Sequence, residues 1–386
     1  MLGKITAIFG GMAIGLWIGF MIISNTWNRQ AGDRFIFNPI AQEKNQAIGF
    51  LPYWLISKAD KDYTKYINTL TYFGLTVSSD GSIKKYTDPG ESEPGWLALN
   101  SGKVDPFLET AKKNNIKTSL LIFNASEEEI YGLLDDPIIH ARNLIKDVSP
   151  LMKKYGFKDL NLDIESVITA SDEARTNFSV FVKTVKENLD KENLGTLTID
   201  VSPIVLFKKY LVDLNTIHDV VDYIVFMTYD YHYQGSMVTG AVGPVGGAGD
   251  DAEFDIEVSL KEARRIISPD KIILGVPLYG YEWETISSIP RTAVLPGSGL
   301  VASNRRVEEQ IKECSVCTVS FDEKAKESYV IYQDEKTGVF HQIYFPVKKS
   351  TEEKVKLAKN YGLGGIALWA LGYEGDDILN PLSGYK

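Results

Sequence analysis

Cysteine and histidine are scarce in this sequence, whose 386 residues include 2 Cys and 4 His. The two cysteines, Cys314 and Cys317, form one Cys-Ser-Val-Cys motif. No histidine lies at a finger-like spacing from them, and a zinc site usually needs four ligands. We therefore expect no metal site and no fold that depends on a disulfide framework. The pair is either a local disulfide or a free dithiol in a loop.

Clusters of basic residues are also lacking. The 41 basic and 51 acidic residues give a net charge of −10, and no run of Lys and Arg is interleaved with aromatic residues. Nucleic acid is therefore not expected as a partner. The glycine-rich residues 235–249 contain neither a Gly-Lys-Ser/Thr sequence nor a Gly-x-Gly-x-x-Gly sequence that opens a helix. We expect no cofactor and interpret this segment as a mobile loop at the rim of a site.

Only one long apolar run occurs. Residues 5–23 are uncharged, follow Lys4 and are long enough to span a bilayer as one helix. A cleaved signal peptide is the alternative, but its apolar region is usually shorter, and no Ala-x-Ala-like cleavage site precedes Gln30. The sequence favours a membrane anchor over residues 1–24, followed by a polar linker over residues 25–45. Small residues recur every fourth position and predict weak self-association of the anchor in lipid: Ala7, Gly11, Gly15 and Gly19.

From residue 46 onward, β-rich apolar runs alternate with helical patterns, which is typical of a parallel sheet covered by helices. Eight such units predict a closed (β/α)₈ TIM barrel within residues 46–386, because closure leaves no edge strand. The last two strands are far apart, and the excess, about residues 284–345, is predicted to be an inserted α+β subdomain beside a cleft. The predicted strands cover residues 46–54, 69–75, 116–124, 156–166, 194–202, 220–230, 271–279 and 364–369.

Residues 156–166, GFKDLNLDIES, carry the strongest indication of chemistry. Asp159, Asn161, Asp163 and Glu165 alternate with aliphatic residues, so in a strand their side chains point to one face. Flanking helical patterns place this strand in the centre of the sheet. A buried row of carboxylates is costly there unless the groups are paired, protonated or solvated by a cleft. The pattern therefore indicates a site, and a surface strand with its polar face in water is the alternative.

The same stretch resembles the fourth-strand signature of glycoside hydrolase family 18, the chitinase-like barrels, whose pattern is Phe-Asp-Gly-x-Asp-x-Asp-x-Glu. Phe157, Asp163 and Glu165 match this pattern. The middle Asn is similar to the Asn-Ile-Asp-Phe-Glu form of the branch that includes bacterial peptidoglycan and spore-cortex hydrolases. The family's first Asp, Gly and middle Asp are replaced by Lys158, Asp159 and Asn161. Residues 53–54, 227–230, 275–281 and 365–372 are similar to the family's first, sixth, seventh and eighth strands.

The resemblance implies retaining hydrolysis of a β-glycosidic bond beside an N-acetylated sugar, whose own acetamido oxygen attacks the anomeric carbon. Glu165 would be the general acid and base. Asp163 would raise the pKa of Glu165 by like-charge repulsion and stabilise the positive intermediate. Tyr229 would donate a hydrogen bond to the acetamido oxygen. Asn161 would hydrogen-bond Asp163 without being able to take up its proton.

The resemblance also implies a sugar-binding mouth at the carboxyl ends of the strands. The expected substrate-binding residues are Trp369, as a stacking floor, Asp230, Tyr53, Tyr279 and Asn124. By pattern alone, Trp369 is equally compatible with a core residue, and Asn124 and Asp230 with turn or cap residues.

The expected partner is an N-acetylated polysaccharide or oligosaccharide, either peptidoglycan or a chitin-like polymer. A catalytically silent, lectin-like barrel is the alternative, and the presence of Glu165 favours the enzyme. The resemblance further implies an extracytoplasmic protein, anchored in the membrane or secreted. The basic residues that follow the apolar run mildly favour the opposite orientation: Arg29, Arg34 and Lys44.

Overall fold

The structure, a computed structural model, describes residues 45–386. The predicted anchor or signal segment, its small-residue stripe and almost all of the linker lie outside the described residues. Within residues 45–386, no helix combines the length and the hydropathy needed to cross a membrane.

Eight parallel strands close into a barrel, which confirms the predicted TIM barrel. Around the barrel they follow the order β1, β15, β9, β8, β7, β6, β5, β2, so β15 lies opposite β6 and β2 lies opposite β8. The strands in chain order are β1 (Gln46–Pro52), β2 (Thr69–Thr76), β3 (Tyr86–Asp88), β4 (Glu91–Ser92), β5 (Lys117–Asn124), β6 (Asp159–Ile164), β7 (Thr196–Val201), β8 (Tyr223–Phe226), β9 (Ile272–Pro277), β10 (Tyr279–Thr285), β11 (Leu300–Ser303), β12 (Val319–Asp322), β13 (Glu327–Gln333), β14 (Phe340–Phe345) and β15 (Gly365–Trp369).

Helices cover the outside of the barrel and bury their apolar faces against the aliphatic outer faces of the strands. Local signals set their ends. Ser126 and Ser171 cap the helices that follow them, each accepting a hydrogen bond from a backbone N–H. Gly156 ends one helix with φ of 79°, a left-handed conformation that favours glycine, and turns the chain into β6. The helices are α1 (Pro94–Asn100), α2 (Asp105–Lys113), α3 (Glu127–Leu133), α4 (Pro137–Tyr155), α5 (Asp172–Lys191), α6 (Leu214–Ile217), α7 (Ile256–Ile266), α8 (Asn304–Glu313) and α9 (Lys348–Tyr361).

The predicted insertion is present but begins earlier than expected. Barrel strand β9 ends at Pro277, and Tyr279 already opens β10, which pairs antiparallel with β11 and β14. Together β10–β14 form a five-stranded sheet, accompanied by α8. The subdomain therefore starts near residue 279 rather than 284. Of the two alternatives for the cysteines, the structure contains the disulfide, between Cys314 and Cys317 just after α8.

Residues 235–249, predicted to be a mobile rim loop, have a buried centre. Residues 239–245 are all buried. The carboxylate of Glu327, on β13, accepts hydrogen bonds from the backbone N–H groups of Val242 and Gly243 at 2.8 and 3.0 Å. Glu327 also pairs with Lys354 of α9 at 2.7 Å, and both side chains are fully buried. A buried ion pair is stable only when the remaining hydrogen bonds of its charged groups are satisfied. The backbone N–H groups of this loop satisfy Glu327, and the loop is thereby held between β13 of the insertion and α9 of the barrel.

Helix α9 begins at Lys348, although Ser350 and Glu353 have the spacing of a capping box, which predicts a helix that starts just after Ser350. Ser350 lies inside the first turn, where its hydroxyl accepts a hydrogen bond from the backbone N–H of Val347 at 3.1 Å. The serine therefore performs the return contact of the helix start rather than the cap itself.

Candidate active site

The polar face of β6 points into the barrel. Asp159, Asn161 and Asp163 are all almost completely buried, with exposures of 4, 1 and 3%. The rest of the barrel interior is mostly apolar and includes Phe50, Phe73 and other hydrophobic side chains of β1, β2, β5, β8, β9 and β15. The alternative of a surface strand is therefore wrong, and the burial of these groups requires partners.

Asp159 finds its partners at the amino end of the barrel. Its carboxylate accepts hydrogen bonds from the hydroxyl groups of Ser119, Thr196 and Thr198, those from Ser119 and Thr198 at 2.6 and 3.0 Å. Burial raises its pKa, although the nearby charge of Lys117 and the three hydroxyl donors oppose this effect. Asp159 is thus a satisfied interior group that joins three barrel strands, and it does not line the cleft.

Asn161 contacts a residue that the sequence reasoning missed. Its side-chain N–H donates to Oδ1 of Asp200, on β7, at 3.0 Å. The expected hydrogen bond from Asn161 to Asp163 is absent, and within the described residues neither Asn161 Oδ1 nor Asp163 Oδ1 has a hydrogen-bond partner. The reason is the parallel register, which places a buried carboxylate on the neighbouring strand within reach of the amide. Asp200 alternates with Thr198 and Thr196 at the same period of two as the polar residues of β6, so this pattern in the sequence could have indicated Asp200 as a site residue.

Burial and neighbouring carboxylates raise the pKa values of Asp163 and Asp200. The pKa of Asp163 lies well above its ordinary value because of burial, then the charges of Glu165 and Asp200. Burial also raises the pKa of Asp200, opposed by the hydrogen bond from Asn161. It is costly to ionise all three of these carboxyl groups, Asp163, Glu165 and Asp200, in one apolar barrel. The site therefore retains protons at a pH where isolated carboxyl groups have lost them.

Glu165 stands where this buried row meets solvent. It follows directly after β6, is half-buried and lines a cleft of about 370 Å³ at the carboxyl ends of the strands. Burial and then the charge of Asp230 raise its pKa. An accessible carboxyl group whose pKa is raised above its ordinary value is suited to donate a proton to a bound ligand.

Trp369 ends β15, on the opposite side of the barrel from Glu165. It is partly exposed and packs edge-on against Phe73 and Phe50, with ring centroids 5.1 and 5.7 Å away. Trp54, which is 43% exposed, lies 6.4 Å from it. These rings form an aromatic floor that is open to the cleft, as a sugar-binding surface requires.

Tyr229 and Asp230 follow β8 and complete the wall next to Glu165. Burial, followed by the surrounding carboxylates, keeps the pKa of Tyr229 well above its ordinary value, so its hydroxyl is a hydrogen-bond donor. Asp230 is exposed at the mouth, and its Oδ1 accepts hydrogen bonds from Tyr279 and Tyr281 at 2.5 and 3.0 Å. The pKa of Asp230 is raised overall, because desolvation of the carboxyl group outweighs the opposing effect of these two hydrogen bonds.

Of the remaining predicted substrate-binding residues, one lines the cleft and two do not. Tyr53 lines the cleft, whereas Tyr279 is buried behind it and reaches the site through Asp230. Asn124 does not line the cleft, because its amide group is occupied by the backbone: it donates to the carbonyl of Val77 at 2.6 Å and accepts from the N–H of Ser126 at 2.7 Å. Lining residues absent from the predicted set are Trp54, Phe73, Gly74, Leu75, Thr76, Glu93, Phe123, Asp200 and Met227. Most of these belong to β2, β5 and the segments that follow them, where the sequence shows only ordinary apolar strand patterns.

A larger groove, of about 980 Å³, lies at the amino ends of β5 and β6 and is lined by lysines such as Lys112 and Lys153. Both lie in the last turn of a helix, where a lysine stabilises the helix dipole. We assign no chemistry to this groove. Among residues 45–386, no group of three or more His, Cys, Asp and Glu side chains is arranged to hold a metal ion.

Comparison with known proteins agrees with this geometry. The "Cortical fragment-lytic enzyme" of Bacillus cereus is 26% identical over 321 residues, which cover 81% of this chain and 67% of that protein. The crystal structure of the Bacillus cereus spore cortex-lytic enzyme SleL superposes with a TM-score of 0.71 at 23% identity, covering 89% of this chain and 75% of the other. The GH18 chitinase from Cycas revoluta in complex with (GlcNAc)3 gives a TM-score of 0.70 at 20% identity, with 87 and 98% covered. The model of "Glycosyl hydrolases family 18" matches residues 41–374. The chain therefore belongs to glycosyl hydrolase family 18, and it is a glycosidase.

Proposed function

We propose that this glycosidase cleaves β-linked polymers containing N-acetylglucosamine, with retention of configuration and with the substrate's acetamido group as the nucleophile. The observation that carries the proposal is Glu165, an accessible carboxyl group with a raised pKa at the mouth of a barrel, above the deeper and almost completely buried Asp163 and Asp200. Glu165 protonates the leaving glycosidic oxygen and then removes a proton from the attacking water.

Asp163 and Tyr229 hold the reacting acetamido group. The carboxyl group of Asp163 borders the cleft and accepts a hydrogen bond from the acetamido N–H. The hydroxyl of Tyr229, kept protonated by its surroundings, donates to the acetamido oxygen. Fixing the acetamido group from both ends brings its oxygen within reach of the anomeric carbon and removes much of the entropic cost of the reaction. As positive charge develops on the sugar, ionised Asp163 stabilises it.

The sugar ring lies between the Trp369 floor and Glu165, because β15 and β6 are on opposite sides of the barrel. Tyr53 and Asp230 contribute hydrogen bonds from the walls. Stacking on the indole ring requires a flat, apolar sugar face, which β-linked N-acetylhexosamines offer.

The polymer is peptidoglycan or a chitin-like glycan. One relative is named a cortical fragment-lytic enzyme, one solved neighbour is named a spore cortex-lytic enzyme, and another solved neighbour is in complex with (GlcNAc)3. The test is to incubate the purified protein with chitin oligosaccharides and with purified peptidoglycan, and to identify the new reducing-end sugar and its anomeric form. A β-configured N-acetylglucosamine end supports the proposal. An α-configured product refutes substrate assistance, and binding of both glycans without cleavage favours the lectin-like alternative.

We further propose that the catalytic domain is extracytoplasmic and tethered through residues 5–23, with weak self-association of that segment. The support is the apolar run and its small-residue stripe in the sequence. Fractionation of expressing cells, followed by protease treatment of intact cells, tests the tether. A helix-association assay on residues 1–30 that compares the native segment with Gly11→Ile and Gly15→Ile tests self-association, and equal signals from all three would exclude it.

A further inference from the structure

The cleft is strongly one-sided in charge. Of the described residues that line it, none is Lys, Arg or His. The catalytic proposal uses Asp163 and Glu165, and Asp200 and Asp230 support them, but a fifth carboxyl group has no part in that chemistry. The acidic residues in the lining are Glu93, Asp163, Glu165, Asp200 and Asp230.

Glu93 is held firmly in the wall beyond β2. It caps α1, where Oε2 accepts a hydrogen bond from the backbone N–H of Trp96 at 2.5 Å. Helix α1 packs tightly on β2, since a Cβ atom on Gly95 would lie 1.8 Å from the carbonyl oxygen of Gly74. Residue Glu93 is 7% exposed, yet it borders the cleft, and its Oε1 accepts no hydrogen bond from the described residues.

The charge of Glu93 acts on a group that lines the cleft. After burial, it is the second cause of the raised pKa of Tyr53, which also lines the cleft. Because β2 lies opposite β8 in the barrel, Glu93 faces the Asp230 side across the mouth. A glycan that runs through the mouth therefore passes a carboxyl group at each of two opposite walls, and none of the described lining residues between them is a Lys, Arg or His.

Such a cleft repels a sugar that bears a carboxylate and attracts one that bears an ammonium group. The cleaved sugar itself must keep its acetamido group, since that group is the nucleophile of the proposed reaction. A free amine is therefore acceptable only on a neighbouring sugar. A carboxylate with one free oxygen forms a charge-assisted hydrogen bond with an ammonium group, which is stronger than a hydrogen bond between neutral groups.

We propose that Glu93 is a specificity-determining residue that binds the ammonium group of a de-N-acetylated glucosamine next to the cleaved N-acetylglucosamine. The preferred substrate is thus a partly de-N-acetylated hexosamine polymer without carboxylates in the bound stretch. This inference rests on the proposed function.

The experiment compares kcat/KM for fully N-acetylated chitotetraose with that for tetrasaccharides carrying one glucosamine at each defined position. Wild-type protein, Glu93→Gln and the exposed control Glu187→Gln are measured at low and high salt. Glutamine keeps the shape of Glu93 and an oxygen that can accept from the Trp96 N–H, so the cap is retained, and circular dichroism checks the fold. We expect one glucosamine isomer to be preferred by wild type. That preference should fall about tenfold in Glu93→Gln, equivalent to 1.4 kcal/mol, and stay unchanged in Glu187→Gln. Salt should weaken the wild-type preference, because it screens the charge.

The possible outcomes distinguish a wrong assignment of Glu93 from a wrong proposed function. If wild type cleaves chitotetraose but shows no preference for any glucosamine isomer, or if Glu93→Gln keeps the full preference, the assignment of Glu93 is wrong while the proposed function stands. If wild type cleaves none of the tetrasaccharides and also fails on peptidoglycan, the proposed function is wrong, and the inference falls with it.

Discussion

The influence of Asp230 on Glu165 gives a prediction with a defined sign. As a general acid, Glu165 must be protonated, so the alkaline limb of the kcat/KM profile reports its pKa in the free enzyme. That pKa is raised by burial and then by the negative charge of Asp230. Replacing Asp230 by Asn removes the charge but keeps Oδ1, the atom that accepts hydrogen bonds from Tyr279 and Tyr281. The change is therefore electrostatic rather than steric.

The size of the effect follows from the exposure of Asp230 at the mouth. Two charges a few ångströms apart repel by about 1 kcal/mol in water and by about 4 kcal/mol near a protein surface, and the exposure of Asp230 places the effect at the lower end of this range. Without the repulsion Glu165 loses its proton more easily. The alkaline limb should therefore move to lower pH in Asp230→Asn.

The assay is kcat/KM on a soluble chitin oligosaccharide from about pH 4 to 9. Asp219→Asn is the matched control, because Asp219 is highly exposed and precedes β8 at the amino end of the barrel, away from the mouth. The control profile should superimpose on that of wild type. A limb that stays in place or moves to higher pH in folded Asp230→Asn would refute the electrostatic link between Asp230 and Glu165.

Two further predictions concern stability and binding. The pKa of Asp163 is raised in the folded state, so ionisation of Asp163 destabilises the fold as pH rises from about 4 through that pKa. Asp163→Asn lacks this penalty and should be about 1–3 kcal/mol more stable than wild type at pH 7. The same variant should be inactive. Urea unfolding at pH 4 and 7 tests this, and an advantage that does not shrink at pH 4 would contradict it. Trp369→Ala should raise KM about tenfold through lost stacking, with only a modest loss of Tm. A collapse of Tm with unchanged activity per folded molecule would make Trp369 a core residue.

The barrel was predictable because its signals are local and repeated. Each strand is a short apolar run between helical patterns, and the alternation in β6 identifies a strand whose inner face is polar. The same alternation identified Asp163 and Glu165 as site residues. The early start of the insertion was not predictable, since the apolar residues up to Tyr279 read as one strand, while only the pairing of β10 with β14 shows where the chain leaves the barrel.

The partner of Asn161 depends on register between strands, which no single stretch of sequence encodes. The sequence suggested Asp163, two residues along the same strand, whereas the amide donates to Asp200 on β7. Glu93 was missed for a similar reason. It precedes a short helix as an ordinary cap, and only the packing of α1 on β2 brings it to the cleft.

The role of Glu165 is tested most directly by the hydrolysis rate of Glu165→Gln on a glycan that wild type cleaves. Glutamine preserves the shape of the side chain and removes only the transferable proton, so we expect kcat to fall by about 10²–10⁴ while glycan binding is largely kept. Glu127→Gln is the matched control, since Glu127 accepts hydrogen bonds from Ser166 and Val167 beside the site but does not line the cleft; it should retain most activity. A folded Glu165→Gln protein that hydrolyses the glycan at close to the wild-type rate would contradict the account.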